Sequence, residues 1–307
     1  KELRGGFTTL NVPGNTQFFI QDVDKDYELD QNWSGRIAAS YRPSEAVMYY
    51  GSVTSGHKSG GFFGGFALSE DELDPYLEES VTAAELGFKS DLLDGSLRLN
   101  GAVFYYDYED VQGPQAIFSP ITGTALVKIG NIGNADHKGL ELEAQWLPAS
   151  IEGLSFAASL SLVEAELSAP PTSFFFSQDL QIIQHDGLER DFAPDWSYYL
   201  QGRYDWQFGE NLRGAVQVDF SSRDDITHPG VWGNPVDSAV LKHDGYDLLQ
   251  ARFDIARDVD RWRVSLIGRN LTDEAFLNRA TLDNLGSYQH MYARPRSWFV
   301  EVGLAWQ

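Results

Sequence analysis

The chain has no cysteine among its 307 residues and only 2 methionines. Without cysteine there is no disulfide framework and no thiolate metal site. Long apolar runs are missing as well. Nowhere do about 18 apolar residues follow one another, so no transmembrane helix is available. Positive charge is scarce: 23 Lys and Arg stand against 45 Asp and Glu, for a net charge of −22. That balance argues against a nucleic-acid partner, because phosphate binding needs clustered Lys and Arg. The chain begins at Lys1 without a signal peptide, as a processed chain or a fragment does.

Catalytic and metal-binding motifs are equally scarce. The six histidines, His57, His137, His185, His228, His243 and His290, are scattered and show no H-E-x-x-H spacing. No dedicated metal site is therefore expected. Neither G-x-S-x-G nor a phosphate-cradling G-x-x-x-x-G-K occurs, and no nucleophile is placed with a base and an orienting group. An enzyme is not expected, and no cofactor is implied. Asp22-Val-Asp-Lys-Asp26 loosely echoes a calcium loop. Tyr27 stands where that loop needs glycine, and Trp33 where it needs glutamate. This stretch is expected to be a solvated acidic loop.

What the chain does have is aromatic residues, at 13%, and 29 glycines, arranged on a period of two. In the last stretch, Trp298, Val300, Val302, Leu304 and Trp306 share one face, and Glu301, Gly303, Ala305 and Gln307 share the other. That is a half-buried strand. Its apolar face begins and ends in tryptophan, as expected where indoles settle at two membrane–water interfaces. The same alternation recurs upstream. Ile37, Ala39 and Tyr41 oppose Arg36, Ser40 and Arg42; Leu97, Leu99, Val103 and Tyr105 oppose Arg98 and Asn100. Leu140, Leu142, Ala144 and Trp146 oppose Glu141, Glu143 and Gln145. Tyr198, Leu200, Tyr204 and Trp206 oppose Gln201, Arg203 and Asp205, and Phe253 and Ile255 oppose Arg252 and Asp254.

Two regularities turn these strands into an architecture. Connections alternate between short and long, which defines two different ends, as in outer-membrane barrels. Aromatics sit beside the short turns: Tyr41, Trp146, Trp206, Trp262 and Trp306 form one girdle, and Trp298 marks the opposite interface. The other face carries Arg36, Glu85, Arg98, Glu141, Glu143, Arg203 and Arg252 among further charges. Such a face is too charged for a dry core and suits a watery or plugged lumen. The fold class is therefore all-β, an antiparallel transmembrane β-barrel. About eleven strands are countable, twelve with a piece near Phe7–Val12. Asp107–Lys128, in part strand, Glu164–Pro194, Ser222–Asp244 and the stretch before Ser297 are expected to be long connections.

Several segments resemble the TonB-dependent outer-membrane receptors. Trp33-Ser-Gly-Arg-Ile-Ala-Ala-Ser-Tyr-Arg-Pro43, then Tyr49-Tyr50 and Gly56-His-Lys-Ser-Gly-Gly-Phe62, look like the family's strand–turn–strand running into a "GfksGGf" loop. Glu85-Leu-Gly-Phe-Lys89 and Asn100–Asp107 look like its next strand pair. Asn131-Ile-Gly-Asn134 with Gly139-Leu-Glu-Leu-Glu143 looks like "N-x-G-x-a…kGlEle". Arg269-Asn-Leu-Thr-Asp273 and Arg294-Pro-Arg296 look like its "NLtD" and "ppR" signatures. The resemblance covers Trp33–Gln307. It implies that residues 1–307 are the C-terminal part of a 22-stranded barrel, about 12 strands of it, with the N-terminal plug and first strands not present. It implies outer-membrane lipid, the plug and remaining strands, TonB acting through the plug, and a small-molecule ligand as partners. It implies a Gram-negative outer membrane as location and energy-coupled uptake as function, a ferric siderophore being the commonest ligand of the family. Cobalamin, a glycan or a peptide as ligand, a passive outer-membrane pore, and a soluble all-β binding module are the alternatives. Ligand contacts are expected on the long connections, at Phe62, Phe63, Phe66, Phe175, Trp232, His290 and Tyr292, where aromatic rings stack on flat or apolar groups.

Overall fold

A computed structural model describes residues 2–5, 23–28, 33–63, 70–119, 123, 125–176, 182–188, 194–226, 242–257, 262–282 and 288–304. The strands in chain order are β1 (Glu2–Gly5), β2 (Val23–Asp26), β3 (Gly35–Ser44), β4 (Val47–Lys58), β5 (Glu79–Leu92), β6 (Leu97–Phe118), β7 (Ala125–Trp146), β8 (Leu154–Ser168), β9 (Phe174–Phe176), β10 (Ile182–Gln184), β11 (Trp196–Phe208), β12 (Leu212–Arg223), β13 (Tyr246–Arg257), β14 (Trp262–Arg269), β15 (Leu277–Leu282), β16 (Tyr288–Tyr292) and β17 (Ser297–Leu304).

Eleven of these form one antiparallel sheet in the order β17-β14-β13-β12-β11-β8-β7-β6-β5-β4-β3. Sequential strands are spatial neighbours throughout, as in an up-and-down barrel wall. Side hairpins β9–β10 and β15–β16 interrupt two of the long connections. The register keeps each apolar side chain beside another. Phe253 pairs with Val216 and Leu266, and Leu266 with Val300. A slip of one residue would carry every one of these onto the charged face, so the two-faced pattern itself fixes the register.

Among the described residues the short turns fall at Glu45–Ala46, Leu93–Ser96, Leu147–Gly153 and Gly209–Asn211. Leu93 and Asp94 both have φ near +53°, followed by Gly95 at +84°. A tight turn of this kind needs left-handed residues, which Asp and Gly tolerate best.

Three expectations change. The Asp22–Asp26 stretch is not a loop through its described part: Val23–Asp26 is β2, paired with β1, and Lys25 donates to Asp74 at 2.7 Å. Backbone pairing with β1 holds the acidic side chains extended. Asp107–Lys128 is mostly strand rather than connection, because β6 and β7 continue as a paired hairpin to Phe118↔Ala125. Glu164–Pro194 likewise contains the end of β8 and the β9–β10 hairpin. The Phe7–Val12 piece lies outside the described residues.

Few residues are fully buried, since a single-layer wall has no interior between layers. The main apolar cluster is Val111, Ile132, Ala135 and Leu167, with Tyr108 against it. It sits where β6, β7 and β8 extend past the regular ladder.

Candidate functional site

The apolar face of the sheet is open to its surroundings: Trp298, Val300, Val302 and Leu304 are each more than half exposed. A patch of that size on a soluble monomer would be exceptional. Aromatic side chains concentrate at its short-turn end. Tyr41 pairs with Tyr49 beside the Glu45–Ala46 turn. Trp146 stacks on Phe156 at 5.6 Å between centroids, and Trp206 on Tyr204 at 5.7 Å. Trp262 pairs with Leu304. Glycines let these rings lie flat on the sheet. A Cβ at Gly214 would meet the Trp206 ring at 2.5 Å, and one at Gly268 the Trp298 ring at 2.7 Å. Trp306 lies outside the described residues.

The opposite face is a connected ionic lattice. Arg203 forks onto Asp205 at 2.7 and 2.8 Å, donates to Gln217 at 3.3 Å and lies 3.7 Å from Asp254. Arg252 donates to both Asp254 oxygens, at 2.8 and 2.9 Å, and to the Ser265 hydroxyl at 2.8 Å. Ser265 in turn donates to Asp254. Glu301 closes the row: Arg263 donates to it at 2.7 Å and Arg252 lies 3.8 Å away. Arg203, Asp205, Gln217, Arg252, Asp254, Arg263 and Glu301, with Arg213, line a concavity of about 590 Å³. Asp254 and Ser265 are buried beneath their partners, which satisfy the carboxylate as burial demands.

Across the wall the same face turns acidic and hydroxylic. Tyr199 donates to Asp219 at 2.5 Å, and Gln201 and Gln217 both donate to the same carboxylate at 2.9 Å. Ser159, Ser161, Ser197 and Ser221 share a shallow concavity with Glu141 and Glu143. Arg98 pairs with Asp91 at 2.8 Å, Arg36 donates to Ser52 at 3.2 Å, and Glu85 lies beside Tyr50. Sequence reasoning singled out the arginines. It did not show that Asp254 and Ser265 are the hub they share, since only strand register brings positions 203, 252, 265 and 301 together.

The described candidate ligand residues fall on three different connections. Phe62 and Phe63 are half-buried after β4, and Phe62 sets its edge on Tyr27 at 6.4 Å. Phe175 is placed by the backbone opposite Ile183 in the β9–β10 hairpin. His290 and Tyr292 are exposed on β16 with rings 6.4 Å apart. Phe66 and Trp232 lie outside the described residues. Behind β9–β10, Ser173 and the Nδ1 of His185 are 2.8 Å apart and buried. Burial pushes the His185 pKa below its usual value. No cluster of three or more metal-ligating side chains is present among the described residues.

An eleven-strand meander with one lipid-like face, one ionic face and long connections at one end is a section of transmembrane barrel wall. A family model described as TonB dependent receptor-like, beta-barrel, matches residues 6–271. The chain belongs to that family. Solved structures agree with it in fold. The ferric yersiniabactin uptake receptor FyuA from Yersinia pestis superposes with a TM-score of 0.66 at 18% identity, over 88% of this chain and 36% of its own. The siderophore receptor PiuA from Acinetobacter baumannii gives 0.62 at 16% identity, over 95% and 38%. The copper transporter OprC gives 0.59 at 14%, over 88% and 39%. The chain thus spans little more than a third of the length of these relatives. No curated protein matches it by sequence.

Proposed function

We propose that this chain is the C-terminal part of the barrel of an energy-coupled outer-membrane receptor, and that the complete protein imports a scarce small molecule, a ferric siderophore. The observation that carries the reading is the family match over residues 6–271. Residues 1–307 form one barrel unit in this reading. The apolar face, girdled by Tyr41, Trp146, Trp206, Trp262, Trp298 and Trp306, meets lipid in a Gram-negative outer membrane. The face bearing Arg36, Glu85, Arg98, Glu141, Glu143, Arg203 and Arg252 borders the lumen, where a plug domain pulled by TonB is seated. A lattice already paired within the wall holds its side chains in place and leaves outer oxygens and N–H groups to bond whatever fills the lumen. Phe62, Phe63, Phe66, Phe175, Trp232, His290 and Tyr292 contribute to the ligand mouth. Siderophore receptors among the structural neighbours favour iron, and a copper transporter among them sets the competing cargo.

The test is uptake of ⁵⁵Fe-labelled siderophores and of copper by cells with and without the full-length gene, each with and without an uncoupler. Uptake of a ferric siderophore that needs both the gene and the proton gradient is expected. Gene-dependent copper uptake would move the cargo to copper. Gradient-independent entry of any small solute would replace the receptor with a passive pore.

A further inference from the structure

The Asn131-Ile-Gly-Asn134 segment stands where β6 and β7 leave the regular ladder. The β5–β6 pairing ends at Ser80↔Glu109, and the β7–β8 pairing at Asn134↔Ser168. Beyond these points the β6–β7 hairpin has exposed backbone edges, which need other partners. Register shifts on both strands mark the place. Asp110, with φ +53°, bulges out of β6. Its N–H donates to the Asn134 side chain at 3.2 Å, and its carbonyl accepts from the Asn131 Nδ2 at 2.8 Å. Between the two asparagines, Ile132 enters the cluster with Val111, Ala135 and Leu167. Gly133, with φ +149°, passes so close to β8 that a Cβ would lie 2.3 Å from the Ser168 carbonyl.

The freed groups of this hairpin hold the connection between β4 and β5. The Asn131 amide copies a backbone peptide: its Oδ1 accepts from the Leu77 N–H at 2.7 Å, and its Nδ2 donates to the Leu77 carbonyl at 3.1 Å. The Gln112 side chain donates to the carbonyl of Leu77 at 2.9 Å and of Ser59 at 3.2 Å, with Lys58 at 3.5 Å. The Gln112 N–H goes to the Glu79 carboxylate at 2.7 Å. The two legs of the connection are also bonded to each other, through both backbone bonds of Gly61 and Tyr76 at 3.0 and 2.9 Å. Lys58 and Ser59 lie on one leg, Leu77 and Glu79 on the other, and Phe62 and Phe63 follow directly on the first.

We propose that Gln112 and Asn131 are positioning residues that clamp the β4–β5 connection to the β6–β7 hairpin and hold Phe62 and Phe63 as a fixed wall of the ligand mouth. The proposal rests on the receptor reading for the word ligand alone; the clamp itself is independent of it. Closure of the mouth on cargo then falls to another connection. The amides act here in place of a strand, and neither polar side chain is explained by the barrel ladder.

Full-length protein in outer-membrane vesicles tests this through hydrogen exchange and spin labelling, neither of which requires cargo. In Asn131→Ala, which removes the acceptor of the Leu77 N–H, that amide is expected to exchange about tenfold faster, the equivalent of one or two lost hydrogen bonds; Gln112→Ala removes a donor to the Leu77 carbonyl and should speed the same amide by a smaller factor. A nitroxide at Phe63→Cys should gain mobility, while one at Gln289→Cys on β16 should not. Asn131→Asp keeps an acceptor for the Leu77 N–H and should return its exchange toward wild type, a rescue that general loosening of the barrel does not give. Unchanged exchange and mobility in the double variant would overturn the clamp, as would equal gains at both label sites. If Asn131→Ala fails to assemble, Gln112→Ala decides alone. Failure of gradient-dependent uptake of both iron and copper would overturn the receptor reading and leave these measurements standing.

Discussion

The wall near the short turns and the structure beyond Glu109 are built on different principles. Below, strands satisfy their neighbours through backbone ladders, broken among the described residues only between Tyr41 and Ser44, and side chains decorate two faces. Above, ladders stop, strands bulge, and amide side chains take over the work of backbone. The lower region is specified by a repeating pattern and is tolerant of individual residues that keep it. The upper region is specified by single residues at single positions. The first suits a membrane, where every backbone group must be paired within the protein. The second suits the place where the proposed function puts the ligand mouth.

The largest expected effect belongs to the lower region. Val302→Arg puts a charge in the middle of the apolar face and is expected to cost about 2–4 kcal/mol, read as lost heat-modifiable migration and a lower urea midpoint in vesicles. An unchanged midpoint would place that face in water. Asp254→Ala removes the buried acceptor shared by Arg252, Ser265 and, more loosely, Arg203. It should cost about 2 kcal/mol, since charged hydrogen bonds are lost and donors are left unpaired. Asp205→Ala breaks a pair whose carboxylate is half exposed and should cost less than about 1 kcal/mol. The two midpoints measured side by side decide whether Asp254 is the hub; equal losses would say it is not.

The smallest effect is a pH dependence confined to the upper region. Burial lowers the His185 pKa, so the neutral ring is the form that fits beside Ser173. The stability it lends is complete above the ordinary histidine value near 6.5. It declines as pH falls below that value and levels off once the folded-state pKa is passed. Leu167 N–H bonds to Leu188, and Gly187 N–H to Leu167. Their exchange protection should fall as pH drops below 6.5 in wild type and stay flat in His185→Gln. A parallel fall in both proteins would assign the effect to other groups.

Alternation made most of the wall legible before any coordinates. Trp298 to Leu304 and Leu140 to Trp146 read as two-faced strands because each alternate position answers to a different solvent. The β6–β7 extension was legible only as a connection that is in part strand. Glu109-Asp-Val-Gln-Gly-Pro-Gln115 carries the residues that disfavour strands, and only its docking onto Leu77 and Leu167 makes it one. The ionic lattice was half legible: alternation shows that Arg252 and Asp254 share a face, but the pairing of Ser265 with both is a product of register. Phe62 carried too little local signal to reveal its seat against Tyr27, which lies 35 residues earlier in the chain.

The length of the β6–β7 hairpin has a consequence for reagents. Phe118, the last to pair with β7, lies nine residues on from Glu109, the last to pair with β5. At about 3.3 Å per residue this stretch lifts the tip roughly 30 Å above the neighbouring ladder. Gly123, at that tip, has open space where a side chain would begin. A peptide tag inserted beside Gly123 would therefore stand beyond the β5–β6 ladder, past the point where Phe118 packs on Phe174. It would offer a handle for counting the protein on cells while leaving the Gln112 and Asn131 contacts with Leu77 intact.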